Sequence, residues 1–102
     1  MIMPVILQVD FPTQGPFKAE MTTAFKTLAE SIHLEDGMQW KIWTENSETK
    51  EAGGIYLFDC QENAQKYLKM HTTRLESFGL NNIRGKIFEV NQALSELNHA
   101  PL

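Results

Sequence analysis

Cysteine is nearly absent from this sequence, which has only Cys60 among its 102 residues. A disulfide framework within the chain is therefore excluded, and the composition suits a reducing compartment. The sequence also lacks any apolar run near the roughly 18 residues that a membrane-spanning helix needs. Its first residues, 1–7, have no basic segment and are too short for a signal peptide. We therefore expect a cytoplasmic protein without a membrane partner.

Positive charge and recognisable catalytic motifs are scarce as well. Lys and Arg number 9 against 13 Asp and Glu, so the net charge is −4, and a nucleic-acid backbone is excluded as the main partner. The three histidines have no metal-site spacing, and the sequence contains no GxSxG motif, no Cys/His motif and no phosphate-binding loop. We therefore predict neither a bound metal nor another cofactor.

The residues that are present have an ordinary globular composition, 42% apolar and 22% charged, in a length that fits one domain over residues 1–102. Hydrophobic periodicity divides the chain into strands and helices. The predicted strands cover residues 4–11, 38–45, 51–59 and 82–90, the predicted helices cover residues 17–33 and 60–78, and residues 91–97 add a short helix that packs Leu94 and Leu97. The order β-α-β-β-α-β predicts an α+β, ferredoxin-like fold.

Two local patterns refine this prediction. Asp59 suits the N-cap position of the second helix, and Glu62 three residues later resembles a capping box, while Gly79 is a natural residue to follow the helix end. Gly53 and Gly54 lie inside a predicted strand, which indicates either a bulge or a close approach by another group.

Trp40 and Trp43 lie three residues apart on one predicted strand, so their indoles point to opposite faces of the sheet. Two helices can cover only one face of a four-stranded sheet. The other face would carry one indole together with apolar residues of the next strand, and an apolar face of that size is rarely left in water. We therefore expect a homodimer, in which two sheets pack into a dimeric α/β barrel.

His71 is the strongest polar candidate for a functional site. It falls on the apolar side of the second helix, with Tyr67 one turn before it and Arg74 three residues after it. A histidine among apolar neighbours has a movable pKa and can act as a base or as a hydrogen-bond donor to a ligand. The alternative is a core histidine that a backbone carbonyl satisfies.

Four aromatic side chains are candidates for a pocket that takes a flat aromatic ligand: Trp40, Trp43, Tyr56 and Phe58. The alternative is plain hydrophobic core and dimer contact, because aromatic residues dominate both. Composition and spacing alone lead no further than a dimeric α+β domain with an aromatic interior and an inward histidine.

Several segments resemble the YdhR-type monooxygenase family. They are residues 15–17 (GPF), 28–32 (LAESI), 40–45 (WKIWTE), 51–58 (EAGGIYLF), 71–75 (HTTRL) and 90–95 (VNQALS), and the resemblance extends over about residues 7–98. The family is similar to the dimeric α/β-barrel superfamily, which includes cofactor-independent oxygenases of aromatic polyketides. The resemblance implies a ferredoxin-like homodimer that oxidises a small phenolic or polyketide-like compound with dioxygen.

In such chemistry the substrate loses a proton, and its anion passes an electron to dioxygen. The protein excludes water, holds the ring and stabilises the anion. The resemblance therefore implies that His71 accepts the proton or donates to the anion, and that Arg74 and Tyr67 stabilise negative charge on oxygen. The substrate-binding residues would be the aromatic set Trp40, Trp43, Tyr56 and Phe58.

Two alternative functions stay open. A non-catalytic homodimer could bind an aromatic ligand, and a haem-handling protein could use His71 as an axial ligand. An RNA-binding module of the same topology is disfavoured, because residues 82–90 lack the aromatic core of RNA-recognition sheets and the net charge is −4.

Overall fold

The computed structural model describes residues 3–102, which form four strands and three helices. The strands are β1 Val5–Pro12, β2 Met38–Asn46, β3 Glu51–Phe58 and β4 Arg84–Glu89, and the helices are α1 Lys18–Ile32, α2 Gln61–Ser77 and α3 Gln92–Leu97. This order confirms the α+β, ferredoxin-like prediction. No helix within residues 3–102 is both long enough and apolar enough to cross a membrane.

The strands pair antiparallel in the order β2-β3-β1-β4. Leu7 of β1 lies opposite Tyr56 of β3, and Val5 lies opposite Phe58, so these side chains share one face of the sheet. All four are buried beneath the helices. We call the opposite side the open face. The apolar side chains on the open face are Ile6, Trp40, Ile42, Ile55, Leu57 and Phe88.

A bulge in β2 places Met38 and Trp40 on opposite faces of the sheet. The pairing of β2 with β3 shifts between Met38, which lies opposite Phe58, and Trp40, which lies opposite Leu57. The extra residue puts Met38 on the helix-covered face but leaves Trp40 on the open face. Trp43, opposite Gly54, lies beneath the helices and packs against the core. The two indoles therefore occupy opposite faces, as predicted.

The glycine pair in β3 has no bulge of its own, because its register with both neighbouring strands is continuous there. The alternative prediction, a close approach, is the correct one. A Cβ atom at Gly54 would lie 2.5 Å from Cε of Lys41, and one at Gly53 would overlap the carbonyl oxygen of Val9.

α2 follows its predicted pattern at the inner face and at its end. Tyr67, His71 and Leu75 are buried. Phe78, which the sequence predicts on the same apolar side of the helix, is 54% exposed. Gly79 has a φ of 88°, and the N–H of Gly79 donates to the carbonyl of Glu76 at 3.0 Å. The next N–H, of Leu80, donates to the carbonyl of Leu75 at 3.2 Å, which completes a Schellman motif.

The predicted capping box at the start of α2 is wrong. The N-cap residue is Cys60, one position later than predicted, and it makes no side-chain capping bond. The backbone N–H of Asp59 donates to the carbonyl of Gly37 at 2.9 Å, which fixes Asp59 to the preceding turn. Its carboxylate instead accepts a hydrogen bond from the amide of Asn63 at 2.8 Å.

Two further boundaries differ from prediction. β4 starts at Arg84 rather than at residue 82, because Asn82 has a φ of 54°, which a strand cannot contain. α3 forms as predicted, and its N-cap Asn91 accepts a hydrogen bond from the N–H of Leu94 at 3.1 Å. Its predicted packing is wrong within one protomer, since Leu94 is 60% and Leu97 is 74% exposed.

Candidate functional site

A cavity of about 220 Å³ lies between the helix-covered face of the sheet and the helices α1 and α2. α1 leaves room for it because its inward residues Phe25 and Leu28 are only half-buried. Apolar lining side chains include Val9, Phe11, Met21, Phe25, Leu28, Trp43 and Leu75, and the polar ones are Thr13, Lys41, Tyr56 and His71. An apolar wall with a few convergent polar groups is typical of small-molecule sites.

His71 is held by a neighbour on its own helix. Arg74 lies one turn further along α2, with its Nη2 2.8 Å and its Nε 3.3 Å from Nδ1 of His71. A guanidinium can only donate, so Nδ1 accepts and the proton of the neutral ring lies on Nε2. The His71 ring also stacks on Tyr67, with centroids 5.0 Å apart, which fixes its orientation.

The imidazole of His71 is neutral at neutral pH. Burial of the ring, together with the positive charges of Lys41 and Arg74, lowers the pKa of His71 to about 3. Protonation would create a third positive charge in a poorly solvated region. A neutral imidazole with its proton on Nε2 can act as an N–H donor.

The Nε2 atom of His71 faces the cavity. Every side-chain nitrogen or oxygen that is sealed from solvent in residues 3–102 has a hydrogen-bond partner. His71 makes its hydrogen bonds through Nδ1, and Nε2 has no protein partner among these residues. Nε2 is therefore not sealed, and it opens into the cavity that His71 lines. An oxygen atom of a ligand can accept its proton in a hydrogen bond.

Tyr56 and Tyr67 form a hydroxyl pair behind this histidine. The Tyr67 hydroxyl donates to the Tyr56 hydroxyl at 3.1 Å, and both rings are buried. Burial raises the pKa of Tyr67 to about 12 and also raises the pKa of Tyr56. Both phenols are therefore neutral at physiological pH, and Tyr56 contributes a polar edge to the cavity wall.

Trp43 and Lys41 form the wall on the β2 side. Trp43 stacks on Phe25 of α1, with centroids 6.1 Å apart and planes inclined by 20°. The Nζ atom of Lys41 lies 3.4 Å from the centroid of a Trp43 ring and 4.7 Å from the centroid of Tyr56. These are cation–π distances, so the aromatic wall stabilises an ammonium group at this position.

Lys41 is a cavity-lining residue that the sequence interpretation missed. Desolvation by burial, and secondarily the charge of Arg74, lowers the pKa of Lys41 to about 7. The available signal was alternation, because residues 41 and 43 share a face of β2 and the Trp43 face is the one that the helices cover. Space for the lysine depends on Gly54, where any Cβ atom would contact Cε of Lys41.

The other predicted site residues do not line this cavity. Trp40, opposite Leu57, lies on the open face, where its Nε1 donates to the carbonyl of Pro101 at 2.8 Å. Phe58 is fully buried core beside Tyr67. Arg74 and Tyr67 both contact the imidazole ring of His71 and hold it in position. Direct stabilisation of a ligand oxygen by Arg74 or Tyr67 stays a prediction.

Within residues 3–102, no three His, Cys, Asp or Glu side chains lie close enough together to hold a metal ion. A family model described as "Putative mono-oxygenase ydhR" matches residues 6–101. Among curated proteins, none matches the chain significantly. The family match covers nearly the whole chain and confirms the resemblance found in the sequence.

Proposed function

The chain belongs to the ydhR mono-oxygenase family, and on this premise we propose that it oxidises small acidic aromatic compounds with dioxygen, without a metal or flavin. The observation that carries the proposal is the Nε2 atom of His71, which opens as a fixed donor into an apolar, aromatic-walled cavity. Such a donor stabilises the oxyanion of a phenol or an enol. Trp43 and Tyr56 contribute the aromatic wall for the ring.

In the reaction that fits this site, the substrate itself supplies the electron that reduces dioxygen. An anthrone or phenol loses a proton, and the anion passes one electron to dioxygen. The substrate radical and superoxide combine through a new carbon–oxygen bond, and the peroxide takes up the proton that the substrate lost. The hydroperoxide then loses water. One oxygen atom of dioxygen remains as the new carbonyl, and the other leaves as water. The protein binds the ring, excludes bulk water and stabilises the oxyanion through His71.

The size of the cavity favours a compact substrate. Its volume of about 220 Å³ is smaller than the roughly 300–1,000 Å³ of drug-sized pockets. A few fused rings are the fitting size, whereas haem is a larger ligand. The geometry therefore favours the oxygenase over the haem-handling alternative.

Oxygen uptake with anthrone tests this function. We expect the protein, without added metal or flavin, to consume one dioxygen per anthrone and to release anthraquinone faster than buffer does. 9-Methoxyanthracene keeps the ring system but has no acidic proton, so it should give no uptake. Saturable binding of anthrone without faster uptake would contradict the oxygenase and would favour the non-catalytic binding protein.

We also propose that the functional unit is a homodimer formed through the open face. Ile42 of the edge strand β2 is 53% exposed there, and Phe88 of the other edge strand, β4, is 47% exposed. Leu94 and Leu97 of α3 are exposed as well. A second copy of the same face covers these residues, since apolar surface of this extent is rarely left in water.

Sedimentation of an Ile42→Glu variant tests the dimer. We expect the wild-type protein to sediment as a dimer and the variant to dissociate, because the new carboxylate would be buried without a partner. Thr27→Glu introduces the same charge at an exposed position of α1, and this control should remain dimeric. A wild-type mass near 11.7 kDa at micromolar concentration would contradict the dimer.

A further inference from the structure

Lys41 points an amine into the cavity without a carboxylate to pair with. Within residues 3–102, the ion pairs involve Lys66 and Arg84, and Nζ of Lys41 has neither an ion-pair nor a hydrogen-bond partner. Its nearest described neighbours are the faces of Trp43 and Tyr56. Charged groups in protein interiors normally have a partner, so this amine is placed to meet one that a ligand supplies.

His71 is poorly suited to the other half of the reaction, the removal of a proton. Its Nδ1 is occupied by Arg74, and its Nε2 already carries the ring proton. The two tyrosines are neutral, and the Tyr67 hydroxyl donates to the Tyr56 hydroxyl. Among the residues that line the cavity, Lys41 is the one that offers a free basic nitrogen when its amine is neutral.

We propose that Lys41 takes the acidic proton of the substrate and then binds the resulting oxyanion as its counter-ion, an inference that rests on the proposed oxidation in this cavity. For a phenol, the O–H bond breaks, an N–H bond forms at Nζ, and the electron pair stays on oxygen. No group is oxidised in this step. The ammonium and the Nε2–H of His71 then hold the same oxygen. The substrate class is a neutral aromatic compound with an acidic hydroxyl group or its keto tautomer.

Lys41 titrates near neutral pH, whereas the groups that surround it do not. The pKa of His71 is lowered to about 3, and burial raises the pKa of Tyr56. The lining side chains of α1 and β1 at this position do not titrate: Met21, Phe25, Leu28, Val9 and Phe11. With a pKa lowered to about 7, Lys41 is a neutral base in much of the protein just above that pH.

Anaerobic binding of 2-naphthol at about pH 8 tests this role, because the free naphthol and the Lys41 amine are both mainly neutral there. In the wild-type protein we expect the absorption band of naphtholate to appear on binding, with no net proton release to a dilute indicator.

Lys41→Met should bind naphthol without the band. Lys41→Arg keeps the charge but cannot accept a proton, so the band should appear with about one proton released per bound naphthol. Lys69→Met, at an exposed position of α2, should behave as wild type.

The opposite results would overturn the inference. A naphtholate band that survives in Lys41→Met, or that never forms in the wild-type protein, would exclude Lys41 as the proton acceptor. The experiment requires neither dioxygen nor turnover. A naphtholate band without anthrone oxidation would therefore contradict the oxygenase alone, whereas anthrone oxidation that is unchanged in Lys41→Met would contradict the role of Lys41 alone.

Discussion

Replacement of His71 by phenylalanine should lower the rate of anthrone-dependent dioxygen uptake by at least about 100-fold, the usual effect of removing one oxyanion donor. Phenylalanine keeps a ring to stack on Tyr67 but removes the Nε2–H that opens into the cavity. Arg74, which is half-buried, then loses its acceptor and can turn towards water. The loss should be measured as kcat/KM, which compares the free enzyme and substrate with the transition state.

His33→Phe is the matched control for this experiment. His33 ends α1 and is exposed, so the same substitution there should leave the rate unchanged. Circular dichroism and sedimentation should show that both variants keep the wild-type fold and assembly. A His71→Phe rate within about threefold of wild type would show that the donor does not contribute to catalysis.

Lys41→Met should make the protein more stable, by about 3 kcal/mol near pH 7. The pKa of Lys41 is lowered from 10.5 to about 7 in the folded state, and each unit corresponds to about 1.4 kcal/mol. The cation–π contacts with Trp43 and Tyr56, worth roughly 1–2 kcal/mol, would be lost and reduce the gain. Methionine fills similar space without a charge to desolvate.

The stability that Lys41→Met gains should depend on pH. Between about pH 7 and 10.5 the unfolded chain binds a proton at Lys41 that the folded chain does not, so this group destabilises the fold fully below about pH 7 and hardly at all above 10.5. The gain in Lys41→Met should therefore shrink as pH rises through that window. Urea unfolding of wild type, Lys41→Met and Lys69→Met at one protein concentration measures it. A gain that does not change with pH, or a loss of stability at every pH, would contradict a desolvated lysine.

Lys41→Met would increase stability and abolish oxyanion formation, and such a trade-off between stability and activity is common at functional sites. Groups that are arranged for chemistry are often poorly placed for folding, so their removal increases stability while activity falls. Lys41 fits this description because it is half-buried beside apolar walls and lacks a carboxylate partner among residues 3–102.

The sequence predicts the fold well where one periodic signal dominates. The spacing of Tyr67, His71 and Leu75 at one helical face places His71 inward, and the structure buries all three. Gly79 predicts the helix end correctly because a left-handed residue is needed there. Asp59 shows the limit of such local signals, since a tertiary hydrogen bond to the Gly37 turn outweighs its preference for capping.

The candidate site is less predictable because it depends on pairing across the sheet. Lysine is normally a surface residue, and only the opposition of Lys41 to Tyr56, with the space left at Gly54, brings it inside. The cavity-facing tryptophan likewise follows from which face the helices cover. A single strand sequence carries no information about that choice, so Trp40 and Trp43 were equivalent candidates until the structure separated them.

The most direct test of the central claim, that the helix-covered cavity is the ligand site, uses the two indoles as reporters of the two faces. In a ¹H–¹⁵N spectrum, the indole N–H signals can be assigned with Trp40→Phe and then followed while 2-naphthol is added. We predict that the Trp43 signal shifts until saturation while the Trp40 signal, on the open face beside Pro101, stays in place. A saturable shift of Trp40 with no change at Trp43 would place the ligand on the open face and contradict the proposed site.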